Sequence, residues 1–297
     1  FSSRFAMRKE CILFGILSQK NLILFYNPKS GRFSPSELNA LYTSFQRHFP
    51  HCQKIHNPEQ LRALKETHVV SIGGDGTFHV LINHLDLATN TVSVWKMGSG
   101  NDFVSNWKKP SVPSLSAAID QGKIQTIDLI QVGAEVKVHT VWGVGFDAFV
   151  TQKAHAWNLG IPVLKYILPI ARYLFFFKPI GVRIESESYN YTGPAFMVSI
   201  GNGPRAGGGF QLFPTAVMDD GKMNLLLIKP PGFFQKLAYL WLVSFGKHSR
   251  LKMVEIASMP HCKITLESPG IMGCDGEVYP CQTIDMKVLP EALQLIQ

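Results

Sequence analysis

Three short, uninterrupted apolar runs in the first hundred residues restrict this chain more than any other feature. They are NLILFYN at Asn21–Asn27, HVVSI at His68–Ile72 and TVSVW at Thr91–Trp95. A strand with one wet face alternates apolar and polar residues, whereas a run that is apolar throughout belongs to a strand covered on both faces. The stretches between them supply the cover. Pro35–His48 and Pro58–Glu66 read as helices, the latter with Asn57 as N-cap and Pro58 at its first helical position. Strands alternating with helices in this way make a parallel α/β layer.

After Ile124 the rhythm changes to closely spaced strands, read at Thr126–Val132, Val136–Val144, Val182–Ser188, Ala195–Ile200, Met223–Ile228, Met253–Ala257 and Cys262–Glu267. Strands at this spacing, separated by Gly and Pro turns, describe a β-sandwich or barrel-like second domain. A last run, Thr283–Leu289, is too short to stand alone and must join an existing sheet. The fold class is therefore α/β plus β. With 297 residues the chain has length for about two domains whose cores need no disulfide or metal staple.

Charge is concentrated rather than spread. The span 148–184 has no acid but holds Lys153, Lys165, Arg172, Lys178 and Arg183; the span 221–254 has no acid but holds Lys222, Lys229, Lys236, Lys247, Arg250 and Lys252. The remaining 18 basic residues face 21 acidic ones, so the rest of the chain is net −3 against an overall +8. Both spans are rich in Phe, Trp, Tyr and Leu, which favours an anionic membrane surface over nucleic acid, whose readers mix polar side chains among the basic ones. Charges interrupt each span well short of the roughly 18 apolar residues a bilayer crossing needs, so the expectation is a protein lying on a membrane. Helical spacing of the apolar positions 163, 166, 167, 170, 174 and 177 reads as an amphipathic helix packed on a sheet or on lipid, with Pro169 inside it. Residues 1–20 read as a ragged extension: Glu10 breaks the apolar run and no small-residue cleavage site follows. Five cysteines without a CxxC pair suit a reducing, cytoplasmic compartment and no zinc site.

The strongest chemical signal is Gly73-Gly74-Asp75-Gly76-Thr77, directly after HVVSI and before a helical stretch. Glycines let backbone approach a ligand, amides at a helix start face phosphate, and a carboxylate at a strand end suits magnesium. A tight turn with Asp75 capping its helix would explain one such motif as well. Two more polar, Gly-containing turns follow buried strands: Asn27-Pro28-Lys29-Ser30-Gly31 and Met97-Gly98-Ser99-Gly100-Asn101-Asp102. The carboxyl ends of parallel strands share one rim, so the three turns converge on a phosphate site. The Walker pattern is absent. Gly143-Val144-Gly145-Phe146-Asp147-Ala148 fits a dinucleotide fingerprint, but no βαβ unit follows it. Asp275-Gly276-Glu277 puts two carboxylates around a turn, which suits a metal-facing acid and a base.

The ordered set NPxSG, GGDGT, GSGND, GFDA, DDG and DGE resembles the diacylglycerol kinase catalytic family, which includes bacterial lipid kinases, sphingosine kinases and ceramide kinases. The likeness spans about Asn21 to Leu289. It implies an α/β ATP-binding domain at 1–124 with a returning segment 283–297, and a β-sandwich lipid domain at 125–282. It implies ATP-dependent phosphorylation of a lipid hydroxyl, with diacylglycerol or a related lipid as acceptor and ATP and Mg2+ as cofactors. Residue by residue, it implies nucleotide contacts at Asn27, His56, Gly73 to Thr77, Gly98, Ser99, Asn101 and Asp102. It implies catalysis at Glu277 beside Asp275, a substrate contact at Asp147 and a catalytic magnesium at Asp75. A structural magnesium would lie on Asp220 and the carbonyls of Val217 and Lys222. Two residues depart from the pattern: Val80 stands where Glu is expected and Lys96 where proline is usual. Val80 favours an alternative, a catalytically weak lipid-binding relative; the shared GGDG turn favours another, an NAD kinase-like enzyme. Which lipid is used stays open, as does pairing of two chains through an edge strand.

Overall fold

The computed structural model describes residues 21–98, 100–156 and 162–297. The reading of residues 1–20 and the candidate contact at Ser99 lie outside them. The chain divides into two compact units, one running to Ile127 and taking in Ala292–Gln297, the other Asp128–Glu291.

In the first unit, β1 (Leu22–Tyr26), β2 (Gln53–Ile55), β3 (His68–Gly73) and β4 (Thr91–Lys96) pair in parallel in the order β2-β1-β3-β4. Leu295, near the end of β14 (Glu277–Leu295), pairs in parallel with Val92 on the free side of β4. Every residue of β3 is buried, as the uninterrupted apolar run requires. Its one ionisable side chain, His68, is accommodated by the hydroxyls of Thr91 and Ser93 at 2.8 and 2.9 Å. Helix α1 (Pro35–Gln46) starts where the Ser34 hydroxyl accepts the Glu37 amide, and it buries Leu38, Leu41 and Phe45 against Leu24, Ile72 and Trp95. Helix α2 (Asp75–His84) follows β3 directly, and α3 (Val112–Asp120) follows β4. The expected helix at Pro58–Glu66 is instead a 3-10 helix, Pro58–Ala63. Asn57 caps it as expected, but Leu64 turns extended and Glu66 takes a φ of 48° to enter β3, so no full α-helix fits the short connection.

The second unit is antiparallel. β7 (Val141–Gly145), β10 (Met197–Gly201), β11 (Met223–Ile228), β12 (Val254–Met259) and β13 (His261–Cys274) pair in the order β12-β11-β10-β7-β13. β8 (Ile180–Glu185) and β9 (Asn190–Ala195) form a hairpin on the first half of β13. An irregularity between Thr265 and Gly270 interrupts the pairing of β13 with β14. One core holds Ile130, Trp142, Val144, Ile184, Leu225 and Ile264. A second holds Phe146, Leu174, Phe196, Leu226, Tyr239 and Val243, and lies beneath the helices α4 (Phe146–Ala156), α5 (Pro162–Tyr173) and α6 (Phe233–Val243). β11 contributes Leu225 and Leu227 to the first core and Leu226 and Ile228 to the second, so it is covered on both faces and its sequence shows no alternation.

Two expected strands are each divided. Val136–Val144 splits into β6 (Val136–Val138) and β7, because the amides of His139 and Thr140 turn away to the Asp275 carboxylate. Ala195–Ile200 breaks at Phe196, whose amide bonds to Ile228 and whose carbonyl takes the Phe146 amide. The strand expected at Thr283–Leu289 is the middle of the much longer β14. β7 has only antiparallel neighbours, so the GxGxxA run is no dinucleotide fingerprint.

Candidate active site

Within the first unit the three turns after β1, β3 and β4 meet. The Ser30 hydroxyl, in the turn after β1, donates to the Met97 carbonyl at 3.3 Å. The Met97 amide donates to Gly73 at 2.9 Å, and the Asp75 amide donates to Gly100 at 3.0 Å. The Asp75 carboxylate reaches across the same seam, accepting the Asp102 amide at 2.8 Å and the Phe103 amide at 3.2 Å. Approach is so close that a Cβ on Gly74 would lie 2.2 Å from the Gly100 carbonyl, and one on Gly98 2.3 Å from the Gly74 backbone. Gly76, in contrast, faces open space. The first turn of α2 thus sits at the carboxyl end of a parallel sheet, where its amides form the partly positive end of the helix. Amides arranged in this way can accept a phosphate.

Other expected contacts of this unit serve the turns. The Asn27 side chain accepts the Lys29 amide at 2.9 Å, and Asn101 donates to the Gly98 carbonyl at 2.8 Å. His56, exposed just past β2, lies with its ring centroid 5.6 Å from that of Tyr26, on the rim of the same sheet. Val80 is half-buried on α2.

In the second unit the DGE turn is built around a buried carboxylate. Asp275 has a φ of 47°, a left-handed conformation that Asp tolerates better than most residues. It accepts the amides of His139, Thr140 and Val141, each at 3.0 Å, and lies 2.7 Å from His139 Nδ1 with both side chains fully buried. Asp275 is therefore a strut, and Glu277 two residues on is the exposed carboxylate at the head of β14. The importance of His139 was not legible in the sequence, since a lone His before a strand carries no signal. Asp147, at the start of α4, accepts the Ser199 hydroxyl at 3.0 Å; loss of hydration pushes its carboxyl up from the usual range, and that bond pulls it back. A groove of about 360 Å³ in the same unit is lined by Phe149, Phe177, Ile180, Leu266 and Ile271, with Glu267 and Ser268 also on its wall.

Asp220 accepts the Lys222 amide at 3.0 Å, and Val217 is half exposed beside it. Their loop is tied down by a residue the sequence reading passed over. Asp128 accepts the amides of Gly221 and Glu291 at 2.7 and 2.8 Å, and its own amide donates to Met218. The loop offers the exposed carboxylates of Asp219 and Asp220 together with backbone carbonyls, a hard-oxygen set of the kind magnesium accepts.

Residues 21–132 match the diacylglycerol kinase catalytic domain, and residues 140–297 match the YegS C-terminal NAD kinase beta sandwich-like domain. The chain belongs to the YegS-like lipid kinase family. Relatives named "Probable lipid kinase YegS-like" include one from Xanthomonas oryzae pv. oryzae, 28% identical over 76% of this chain and 77% of its own. Another, from Pseudomonas syringae pv. syringae, is 30% identical over 70% and 71%. A crystal structure of a diacylglycerol kinase from Bacillus anthracis str. Sterne shares the fold with a TM-score of 0.68 at 18% identity, covering 93% of this chain and 96% of that one. A further Bacillus anthracis structure gives 0.73 at 19%, covering 93% and 97%. The chain thus contains both an N-terminal α/β unit and a C-terminal β-sandwich unit, the two domain types that these models describe.

Proposed function

We propose that this YegS-like chain is an ATP-dependent lipid kinase acting on a hydroxyl of diacylglycerol or a related lipid. The observation that carries the reading is the seam in the first unit, where Asp75 fastens the Gly73–Thr77 turn to the Gly98–Asp102 turn and leaves the first amides of α2 at the sheet's carboxyl end. Those amides hold the nucleotide phosphates, with Asn27, His56 and Asn101 around them. Asp75 offers a carboxylate to magnesium, which when bound would neutralise phosphate charge. Asp220 with the carbonyls of Val217 and Lys222 offers a second, structural place.

Glu277 accepts the proton as the lipid oxygen bonds to the γ-phosphorus and the bridge to the β-phosphate breaks, releasing ADP. Asp275 and His139 act as positioning residues, holding the turn that presents Glu277. Asp147 contacts the acceptor lipid, and the groove between Phe149, Phe177 and Leu266 takes acyl chain. The lipid is met at an anionic membrane surface, which the cytoplasmic protein binds peripherally. Val80, in place of a carboxylate on α2, supports a slower enzyme as the second reading. The test is transfer of labelled phosphate from ATP with magnesium to a panel of diacylglycerol, monoacylglycerol, ceramide and sphingoid base, with NAD as a control acceptor. One lipid should be labelled, and Glu277→Gln should cut that labelling by about 10²–10⁴-fold with ATP affinity unchanged. Labelling of NAD alone, or full activity in Glu277→Gln, would refute the assignment.

A further inference from the structure

Both acid-free spans fall in the second unit, and the fold joins them into one surface. The ring of Phe175, in the turn after α5, stacks on that of Phe233 at the start of α6, with centroids 4.7 Å apart. Lys236 lies over the Phe175 and Phe196 rings at 5.9 and 5.2 Å, bracing the junction from within. Helix α6 sends Tyr239 and Val243 into the core. Its other face should then be polar, yet it is aromatic. Phe234 is 80% exposed and Trp241 70%, with Leu237 between them and Phe245 two residues past the helix. Across the stacked pair Phe176 is 80% exposed as well. Phe175 and Phe177 pack inward, so the helix-on-sheet explanation accounts for them and leaves Phe176 unexplained.

We propose that this ridge, Phe176, Phe234, Leu237, Trp241 and Phe245, inserts into the interface of an anionic bilayer. The choice of partner rests on the lipid-kinase reading; the surface does not. Charge selects the occupant. The chain leaving α6 carries Lys247, Arg250 and Lys252, all exposed, and no acid occurs anywhere in 221–254. An aromatic ridge whose own span carries basic residues and no acid suits the boundary between acyl chains and anionic headgroups, where Trp prefers to sit. No helix among the described residues is long and apolar enough to cross a membrane, so the mode is shallow insertion. Insertion by ridge and attraction by rim differ in salt dependence. Screening shortens the reach of the basic residues, and partitioning of apolar rings is left standing.

The test is co-sedimentation with vesicles of phosphatidylcholine containing one-third phosphatidylglycerol, at about 0.1 M and about 0.5 M salt. Wild type should bind at both, more weakly at the higher. The double variant Phe234→Ser/Trp241→Ser should lose about tenfold or more in partition coefficient at both salts while its thermal unfolding is unchanged, since neither side chain is in the core. Brominated acyl chains should quench the wild-type tryptophan emission, and Trp241→Phe should abolish most of that quenching while keeping most of the binding. Undiminished binding by the Ser double variant, or wild-type quenching that survives Trp241→Phe, would overturn the proposal. So would a wild-type dimer that the Ser pair splits without affecting vesicle binding. Phosphate transfer to a short-chain lipid dispersed in water keeps the two proposals separable. Vesicle binding without any transfer would sink the kinase reading and leave the anchor standing, and transfer without vesicle binding would do the reverse.

Discussion

Adding one methyl group to Gly74 or to Gly76, two residues apart in the same turn, should have opposite consequences. At Gly74 the new Cβ would lie 2.2 Å from the Gly100 carbonyl, where real contacts do not fall below 3.0 Å. The two turns must separate by about 1 Å, since backbone on both sides leaves no side chain to rotate away. That separation breaks the Asp75 amide bond to Gly100 and strains the two bonds from Asp102 and Phe103 to the Asp75 carboxylate. Overpacking plus weakened charged hydrogen bonds costs about 2–4 kcal/mol, which for a unit of this size lowers Tm by roughly 10 °C. At Gly76 nothing lies within 4 Å, and alanine in a first helical turn is neutral or stabilising by up to about 1 kcal/mol. The Gly76→Ala methyl instead occupies space beside the amides proposed to hold phosphate, so ATP affinity should fall about tenfold with Tm unchanged or raised. Differential scanning calorimetry and ATP titration on both variants give the answer. A Gly74→Ala protein with wild-type Tm would refute the packing argument, and a Gly76→Ala protein with wild-type ATP affinity would remove phosphate from this turn.

Asp275→Asn keeps the shape and the tolerance for left-handed φ but turns one oxygen into a donor facing the His139 amide and imidazole; urea unfolding should show a loss of about 2–4 kcal/mol, and less than 1 kcal/mol would mean the carboxylate is no strut. For Asp147 the sign runs the other way. Its carboxyl is raised in the fold, so stability falls as pH climbs from the ordinary carboxylate range to the folded value and stays lowered above it. Asp147→Asn should therefore be more stable than wild type at neutral pH, with the gap closing in acid; a gap independent of pH would contradict this. Burial pushes the Cys52 and Cys262 thiols up to about 12 and the Cys281 thiol to about 11, so iodoacetamide near pH 8 should label none of them in the native protein and all in urea, read by mass spectrometry.

Much of the layer architecture was readable because its signals are local. The buried strands His68–Gly73 and Thr91–Lys96 are continuous apolar runs, and the cap at Asn57 lies within two residues of the amide it holds. Less was readable where a distant partner sets the outcome. His139 and Thr140 sit in what looks like one strand, and only the carboxylate 135 residues further on divides it. Asp128, a lone acid in an apolar strand, gives no hint that it fastens Gly221 and Glu291. The DGE motif had the opposite fate: two carboxylates that look equivalent in sequence are distinguished by burial, Asp275 enclosed and Glu277 exposed.

The order of residues along the chain determined by itself the change from a parallel α/β layer to an antiparallel one, the chemistry offered by each turn, and the separation of positive charge from the acids. Periodicity and composition express the covering of a strand and the charge of a span without reference to anything far away. Only the tertiary structure decided that Asp75 joins two turns and that the two acid-free spans meet at the Phe175–Phe233 stack. It also decided that α6 turns its aromatic side outward. Those facts depend on which surfaces become neighbours when strands distant in sequence pair, and a hydropathy pattern names a sticky face without naming what covers it.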